Sequence, residues 1–270
     1  MPIFPYRALE PVSNVTMRFT QWIHQLDEKF TQYISYDRRS EIVHEELQGL
    51  FAPRTSNGGG MGSTSDAIVQ LSLDPRNITV EPEYYGDIDA LQYNPRKPLI
   101  YLWQKFDRSP LVLNHWLGFR FRAMLGRHIF RHIGSNVKLF YNVEFSFGYN
   151  LVIEDNCIIH KNVLLDDRGG RILWRGTSVS DYANIYSHTH DIHEQANVTN
   201  KLTEVGPAAR IAYHATVLAG AQIGKDAMLG TMAVATRGLA PHVVGVGIPA
   251  KVIRVKDRGQ MVRSALMEAG

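Results

Sequence analysis

From Val205 to Leu229 an apolar residue recurs every six positions, and an alanine stands four places after each one. Neither an α-helix nor an ordinary β-strand has a period of six residues. The pattern is typical of a β-solenoid made of hexapeptides, in which the apolar side chain points inward and the small residue allows a corner. The two series are Val205, Ile211, Val217, Ile223, Leu229 and Ala209, Ala215, Ala221, Ala227, Ala233.

The same period extends upstream with interruptions. Ile133 and Gly134 open the repeats, and after a slip in phase the six-residue spacing runs from Phe147 to Leu165. The segment DDRGGRILWRGTS interrupts the register, and residues 191–204 form an insertion without periodicity. Because three hexapeptides make one triangular coil of about 18 residues, stacked coils bury a continuous core. We therefore expect a left-handed parallel β-helix over 133–254, with an inserted loop at 191–204.

Residues 1–132 are predicted to form a mainly helical domain. Apolar residues between Val15 and Ile34 follow the spacing of an amphipathic helix, with Ser13 or Asn14 as its cap. A second helix is expected after Ser40.

Three further segments complete the N- and C-terminal regions. The glycine-rich stretch 56–65 lacks the preceding strand and the lysine of a phosphate-binding loop, so we expect a mobile loop. The stretch 110–132 is aromatic and contains four arginines. It suits either a cap on the open end of the solenoid or contact with an anionic membrane surface. The tail 255–270 is expected to be a short docking helix or a loose end.

Composition excludes several functional classes. A net charge of +3 over 270 residues is too small for a nucleic-acid-binding protein. The single cysteine, Cys157, excludes an intrachain disulfide and fits a reducing compartment. It stands four places after Ile153, where the repeat requires a small residue, so a structural role is expected. We find neither a signal peptide nor a long apolar run, and we expect a cytoplasmic protein.

Three stretches resemble the hexapeptide-repeat acyltransferases, in particular the maltose, galactoside and xenobiotic O-acetyltransferases. They are Asn162-Val-Leu-Leu-Asp-Asp-Arg-Gly-Gly, Ile185-Tyr-Ser-His-Thr-His-Asp, and the run from Val217 to Gly247-Ile-Pro-Ala-Lys-Val-Ile-Arg. The resemblance covers 133–254, and the N-terminal 130 residues match no family that we can name. It implies transfer of an acetyl or short acyl group from acyl-CoA to a hydroxyl of a sugar or similar small acceptor. It also implies a homotrimer with each site between adjacent subunits.

The resemblance assigns the chemistry to particular residues. His190 matches the family histidine that takes the proton from the acceptor hydroxyl, which is a poor nucleophile until deprotonated. His188 lies two positions away, but the alignment favours His190. Asn162 and Asp167 match positions close to the acceptor. The main-chain N–H of Tyr213 matches the donor that stabilises the oxyanion, although the family has alanine or serine there.

Acetyl-CoA is the implied donor, and no metal or redox cofactor is required. Thr231 matches a position whose backbone contacts the pantetheine arm, and Ala219 and Gly220 match the coil that lines its tunnel. Three basic residues match positions suited to the CoA phosphates; they are Arg237, Lys251 and Arg254. Gly238 departs from the family, which commonly has aspartate there.

Two other functions are compatible with a solenoid. The γ-class carbonic anhydrases bind zinc between subunits through three histidines, and His214 stands in a similar context here. The position of its partner is occupied by Ala219, however, and zinc needs about three protein ligands. A non-catalytic scaffold is the second alternative, supported by the bulk of Tyr213 and the unmatched N-terminal region.

Overall fold

The computed structural model describes residue 9, residues 11–51 and residues 64–256. Contacts divide the chain into two compact units. A helical unit comprises residues of 1–81 and 90–128, and a solenoid unit comprises 82–89 with residues of 129–270. Residues 56–63 of the glycine-rich stretch and 257–270 of the tail lie outside the described residues, so both predictions stay predictions. The parallel β-solenoid and the helical N-terminal region predicted from the sequence are confirmed.

The helical unit is built mainly from its four longest helices, which bury their apolar faces. Leu26 and Phe30 of the first helix have no exposed surface, and Trp22 stacks on Phe121 with ring centroids 5.1 Å apart. The α-helices are α1 Ser13–Gln32, α2 Tyr36–Phe51, α3 Thr64–Leu71, α4 Ala90–Tyr93, α5 Lys97–Asp107 and α6 His115–Ile129. Short 3-10 helices span Pro75–Asn77, Glu81–Tyr84 and Pro110–Leu113.

The cap predicted for α1 was wrong. Val12 is the N-cap, with extended backbone and no side-chain hydrogen bond, and its carbonyl accepts from the amides of Val15 and Thr16. The Ser13 side chain is not needed there because the chain enters the helix through a backbone turn. The helix ends at Gln32, before Ile34, which is exposed.

The arginines of α6 are engaged within the helical unit. The side chain of Arg122 is buried and its Nε donates to Asp107 over 2.8 Å. Arg127 pairs with Asp27 at 2.7 Å. Both contacts lie inside the helical unit, and the two roles considered for 110–132, a cap on the solenoid or contact with a membrane surface, stay predictions. In the part of the chain that the structure describes, no helix combines the length and apolarity needed to cross a bilayer.

The solenoid has three faces, each a parallel sheet to which every coil adds one strand. Sheet 1 is ordered β1-β4-β7-β12-β15, sheet 2 β2-β5-β8-β13-β16-β18-β19 and sheet 3 β3-β6-β9-β14-β17. Only the last pair, β18–β19, is antiparallel within these sheets. The strands are β1 His132–Ile133, β2 Lys138–Leu139, β3 Glu144–Phe145, β4 Leu151–Ile153, β5 Ile158–Ile159, β6 Leu164–Leu165, β7 Arg171–Leu173, β8 Ser178–Val179, β9 Asn184–Ile185, β10 His188–His190, β11 Val198–Asn200, β12 Thr203–Val205, β13 Arg210–Ile211, β14 Thr216–Val217, β15 Gln222–Ile223, β16 Met228–Leu229, β17 Val234–Ala235, β18 Val243–Val246 and β19 Lys251–Val255.

The slips in phase arise at one corner. Ile133 pairs with Ile153, twenty residues on, whereas Val205 pairs with Ile223, eighteen residues on. The first coils therefore carry two extra residues where sheet 3 turns into sheet 1. The segment predicted to interrupt the register does not leave the solenoid, because β7 continues sheet 1 between β4 and β12. The insertion after Asp191 lies at the same corner, and β10 and β11 form an antiparallel hairpin there.

Arg171 is a charged residue at an inward position. Arg171 has no exposed surface and stands in sheet 1 between Leu151 and Thr203. Its guanidinium donates to the carbonyls of Asp166 and Ile185 at 2.7–3.1 Å. Since burying a charge is costly unless it is hydrogen-bonded, these bonds are what make an arginine tolerable in this core.

Candidate active site

Apart from Lys251 and Arg254, which lie on β19, the predicted site residues divide between two edges of the triangular solenoid. The histidine edge, where sheet 3 turns into sheet 1, comprises 146–150, 166–170, 186–202, 218–221 and 236–238. It carries Asp167, His190, Ala219, Gly220 and Arg237. The tyrosine edge, where sheet 2 turns into sheet 3, comprises 141–142, 161–162, 181–182, 213–214 and 231–232. It carries Asn162, Tyr213 and Thr231.

The two edges of one chain do not meet. About five residues of extended backbone separate neighbouring edges, which corresponds to about 17 Å. His190 and Tyr213, the predicted base and oxyanion donor, are therefore not brought together within a single chain. Within one chain, the predicted residues of the histidine edge are separate from those of the tyrosine edge.

His190 is exposed at the end of β10, opposite Val198 of β11. Its Nδ1 lies 2.7 Å from the main-chain oxygen of Gln195. A carbonyl oxygen only accepts, so Nδ1 carries the hydrogen, and in the neutral ring Nε2 keeps its lone pair. The hairpin thus holds His190 in the tautomer that a general base requires.

His188, at the start of the same strand, is oriented by a carboxylate. Its Nδ1 lies 2.6 Å from Oδ2 of Asp166, whose side chain is only 2% exposed. The same carboxylate accepts from the amide of Ser187 at 2.7 Å and from Oγ of Ser146 at 2.8 Å. Burial raises the pKa of Asp166, but hydrogen bonds from Ser187, His188 and Ser146 outweigh it, so the pKa is lowered overall. An ionised carboxylate therefore faces Nδ1–H of His188.

The His188–Asp166 pair was missed in the sequence. The two imidazoles on β10 are close, with ring centroids 5.4 Å apart and planes at 82°. Asp166 follows Leu165, which pairs with Ile185 in the next coil, so His188 stands almost directly over the carboxylate. If the coil that begins at Leu165 is known to have twenty residues, the sequence predicts this stacking. The apparent break in register at 166–178 hid that length.

Asp167 lies inside the solenoid. It has no exposed surface, and its oxygens accept from the amides of Phe147 at 2.7 Å and Asn150 at 3.2 Å. Burial raises the pKa of its carboxyl group to about 6, against the lowering effect of those two amides. Burial also lowers the pKa of the nearby Arg171 to about 9. The carboxylate supports the adjoining coil, and direct contact between Asp167 and an acceptor stays a prediction.

Asn162 lies on the tyrosine edge in a left-handed conformation, with φ of 57°. Asparagine tolerates that conformation better than most residues. Its Oδ1 accepts from Asn142 Nδ2 at 3.1 Å, one coil below. Asn162 is therefore part of a ladder along this edge and not a neighbour of Asp167.

Tyr213 is 46% exposed on the tyrosine edge. Its ring meets those of Tyr182 and His214 edge-to-face, with centroids 5.8 and 4.2 Å away. Its carbonyl accepts from Met232, but among the described residues no main-chain oxygen is bonded to the Tyr213 N–H. The amide is thus available to an external acceptor, as the predicted role requires.

The three predicted phosphate-binding cations are exposed near the C-terminal end of the solenoid. Within the described ranges none of Arg237, Lys251 and Arg254 forms an ion pair. Lys251 follows the turn 247–250, which is bonded to Val234 of β17 beside the tyrosine edge. These free cations suit an anionic ligand such as CoA. On the histidine edge Gly220 has a φ of 81°, and its amide donates to Thr203 Oγ1.

The zinc alternative gains no support from the geometry. In 9, 11–51 and 64–256, no group of three or more His, Cys, Asp or Glu side chains is arranged to hold a metal ion. His214, the histidine in the suggestive context, stacks on Tyr182 with centroids 4.8 Å apart. Cys157 is buried in the repeat, and burial raises the pKa of its thiol to about 11, as suits a structural residue.

Comparison with known proteins gives the class of fold. No protein-family model matches the chain. It is 26% identical to the galactoside O-acetyltransferase of Escherichia coli (strain K12) over 128 residues, which is 47% of this chain and 55% of that protein. The chain thus spans about half the length of this curated relative.

Solved structures agree on the fold. A maltose O-acetyltransferase from Clostridium difficile 630 aligns with a TM-score of 0.54 and 19% identity, over 62% of this chain and 89% of its own. A galactoside acetyltransferase in complex with coenzyme A aligns with a TM-score of 0.55 and 22% identity, over 65% and 88%. The solenoid is a left-handed β-helix like those of these enzymes. The chain is thus similar in sequence to a galactoside O-acetyltransferase and in fold to hexapeptide-repeat acetyltransferases.

Proposed function

We propose that the protein is a CoA-dependent O-acyltransferase that moves an acetyl or other short acyl group to a hydroxyl of a sugar-like small acceptor. The observation that carries this proposal is the hairpin β10–β11, which holds His190 as a base-competent imidazole on an acetyltransferase fold. The relatives named galactoside and maltose O-acetyltransferase support a saccharide as the acceptor class.

The proposed reaction is a direct transfer. Nε2 of His190 takes the proton of the acceptor hydroxyl as its oxygen attacks the thioester carbonyl. The Tyr213 N–H donates to the oxygen on which negative charge develops. When the carbonyl re-forms, the carbon–sulfur bond breaks and CoA leaves as a thiolate, which recovers the proton from the His190 imidazolium. No metal or redox step is needed for this balance.

The separation of the two edges supports a homotrimer. Because His190 and Tyr213 lie on different edges of one chain, a complete site needs the histidine edge of one copy beside the tyrosine edge of another. Three copies around a threefold axis satisfy this requirement for every chain at once. In that arrangement Asn162 of one copy would lie opposite the hairpin of its neighbour, where it would contact the acceptor.

The donor would lie along the same groove between copies. Arg237, Lys251 and Arg254 would bind the CoA phosphates as charged donors. The backbone at Thr231 would contact the pantetheine arm, and Ala219 and Gly220 would line its path. A CoA thioester donor and a lone buried thiol, Cys157, also support a cytoplasmic location.

Three measurements test the proposal. Calorimetric titration with acetyl-CoA is expected to give one saturable site per chain in the micromolar range. Light scattering after gel filtration is expected to give the mass of three chains. Release of CoA thiol, followed with a panel of sugars and polyols, then identifies the acceptor. If the protein does not bind acetyl-CoA up to millimolar concentration and releases no thiol with any acceptor, the proposed function is overturned and a scaffold is favoured.

A further inference from the structure

The segment 82–89 belongs to the solenoid although the residues before and after it in the sequence belong to the helical unit. It lies well upstream of 133–254, the part of the sequence that resembles acyltransferases. The segment therefore contributes something to the solenoid that the resemblance does not cover.

Asp87 makes the main contacts of this segment. Its Oδ1 accepts from Arg168 Nη2 at 2.8 Å, and its Oδ2 accepts from Arg168 Nε at 3.0 Å. The pairing is bidentate, the strongest arrangement available to a guanidinium and a carboxylate. Oδ2 also accepts from Asn200 Nδ2 at 2.9 Å. One carboxylate thus joins the corner 166–170 to strand β11 of the hairpin.

The surroundings of Asp87 hold the segment in place. The Arg168 side chain is 5% exposed, and its guanidinium lies 4.4 Å from the centre of the Tyr85 ring. The amide of Asp89 donates to the Tyr149 hydroxyl at 2.9 Å. Burial raises the pKa of Asp87, but hydrogen bonds from Arg168 and Asn200 outweigh it and lower the pKa overall. The carboxylate is therefore ionised near neutral pH.

Both residues bound by Asp87 are connected to the imidazoles of β10 through hydrogen bonds or strand pairing. The amide of Arg168 donates to Asp166 Oδ1 at 3.2 Å, and Asp166 orients His188. Asn200 is the backbone partner of His188 in the hairpin, two pairs away from His190. The carboxylate of Asp87 thus contacts β11 directly through Asn200 and is connected to β10 through Arg168 and Asp166.

We propose that 82–89 is a clamp on the β10–β11 hairpin and that Asp87 is a positioning residue for His188 and His190. The consequence for turnover rests on the proposed acyltransferase function, whereas the mechanical claim does not. Without the clamp the hairpin keeps its own short ladder and the contacts of its base with Asp166 and Gly169, and a two-stranded hairpin is marginal alone. The role fits a segment that lies outside 133–254, the part of the sequence that resembles acyltransferases.

Hydrogen exchange followed by mass spectrometry tests the clamp without an activity assay. In Asp87→Asn, amides of 188–200 are expected to exchange about tenfold faster or more, because a charge-assisted pair is lost. Asn200→Ala removes only the hairpin contact and should have a smaller effect of the same kind. Asp226→Asn is the matched control, since Asp226 pairs with Lys256 at 2.9 Å in a different corner. Unchanged exchange of 188–200 in both Asp87→Asn and Asn200→Ala would overturn the clamp.

Kinetics test the positioning role. Asp87→Asn is expected to lower kcat about tenfold or more while KM for acetyl-CoA changes little, because misplaced bases slow the chemical step. Asp87→Glu keeps the charge and should restore part of kcat. A rise in KM for acetyl-CoA with unchanged kcat would contradict positioning. If the wild type has no transferase activity, the proposed function fails and the exchange result still decides the clamp.

Discussion

Nδ1 of His188 lies 2.6 Å from a carboxylate oxygen of Asp166, whereas Nδ1 of His190 is held by a main-chain carbonyl. Both acceptors fix the hydrogen on Nδ1, so both rings present Nε2 as a base. They differ in exposure, since His190 is exposed and the His188 side chain is 19% exposed. The exposed His190 ring is accessible from solvent, whereas the His188 ring is largely covered and is held by Asp166.

This difference predicts unequal effects of removing the two rings. His190→Ala should lower kcat by about 100-fold or more, the usual contribution of a general base, while acetyl-CoA binding survives. His188→Ala should have a smaller effect. His193→Ala, on the exposed part of the same hairpin, is the matched control and should be silent. Thiol-release kinetics check all three, and full activity in His190→Ala would remove this residue from the mechanism.

Tyr213 allows a test that separates its amide from its side chain. Pro207 and Pro241 stand before the left-handed residues Ala208 and His242 at two other corners, the place that Tyr213 holds before His214. The fold therefore accepts proline at this step of a corner. Tyr213→Pro removes the N–H and should lower kcat by about 100-fold, as loss of an oxyanion donor does.

The matched variant is Tyr213→Ala, which keeps the N–H and removes only the ring. It should retain kcat within about threefold, and it also shows whether the ring limits the length of the acyl group. Melting curves establish that both variants fold. Equal activity of the proline and alanine variants would show that the amide takes no part in the reaction.

Much of the fold was predictable because the solenoid is local. Each coil contacts only its neighbours, so the six-residue period from Val205 to Leu229 carries the architecture by itself. The widened corner at 166–170 was not predictable as a continuation, because Arg171 occupies an inward position where the period requires an apolar residue. Its carbonyl partners are set by backbone geometry that no sequence pattern displays.

The candidate site was predictable only in part. The motif around His190 predicts a base there, which stays a prediction. The contacts of Asp166 with His188 and of Asp87 with Asn200 could not be predicted, because they join residues far apart in sequence. Contact between Asp167 and the acceptor stays a prediction from the family motif, and the full burial of its side chain could not be predicted from that motif. Motif spacing does not report which of two adjacent aspartates points inward.

Asp166 and Asp167 are expected to give opposite pH dependences of stability. The pKa of Asp167 is about 6 in the fold, above its ordinary value of 3.8, so the folded state binds more protons between those values. This contribution to stability is therefore present at low pH and is lost as pH rises from about 4 to about 6. Asp166 has a lowered pKa, so its contribution is present above its ordinary pKa and is lost as pH falls below it.

Thermal melting between pH 4 and pH 7 checks this. Relative to wild type, Asp167→Asn should lose stability at the acid end and gain it near neutrality, by up to about 1.4 kcal/mol per pH unit. Asp166→Asn should be less stable throughout, most of all near neutral pH. Parallel curves for wild type and Asp167→Asn would contradict the raised pKa of Asp167.

Gly169 provides the last prediction, because the hairpin closes tightly on it. A Cβ at this position would lie 2.2 Å from the Ser187 carbonyl oxygen and 2.4 Å from the Lys201 amide nitrogen. Both are backbone atoms at the base of the hairpin, so they can give way only if the hairpin shifts. Gly169→Ala should therefore destabilise the protein by about 2 kcal/mol and should also lower kcat.

Gly49→Ala is the control of opposite sign, since a Cβ there meets nothing within 4 Å and α2 should gain about 0.5–1 kcal/mol of stability. Chemical denaturation with both variants measures the contrast, and a stable, fully active Gly169→Ala would show that the hairpin base tolerates displacement.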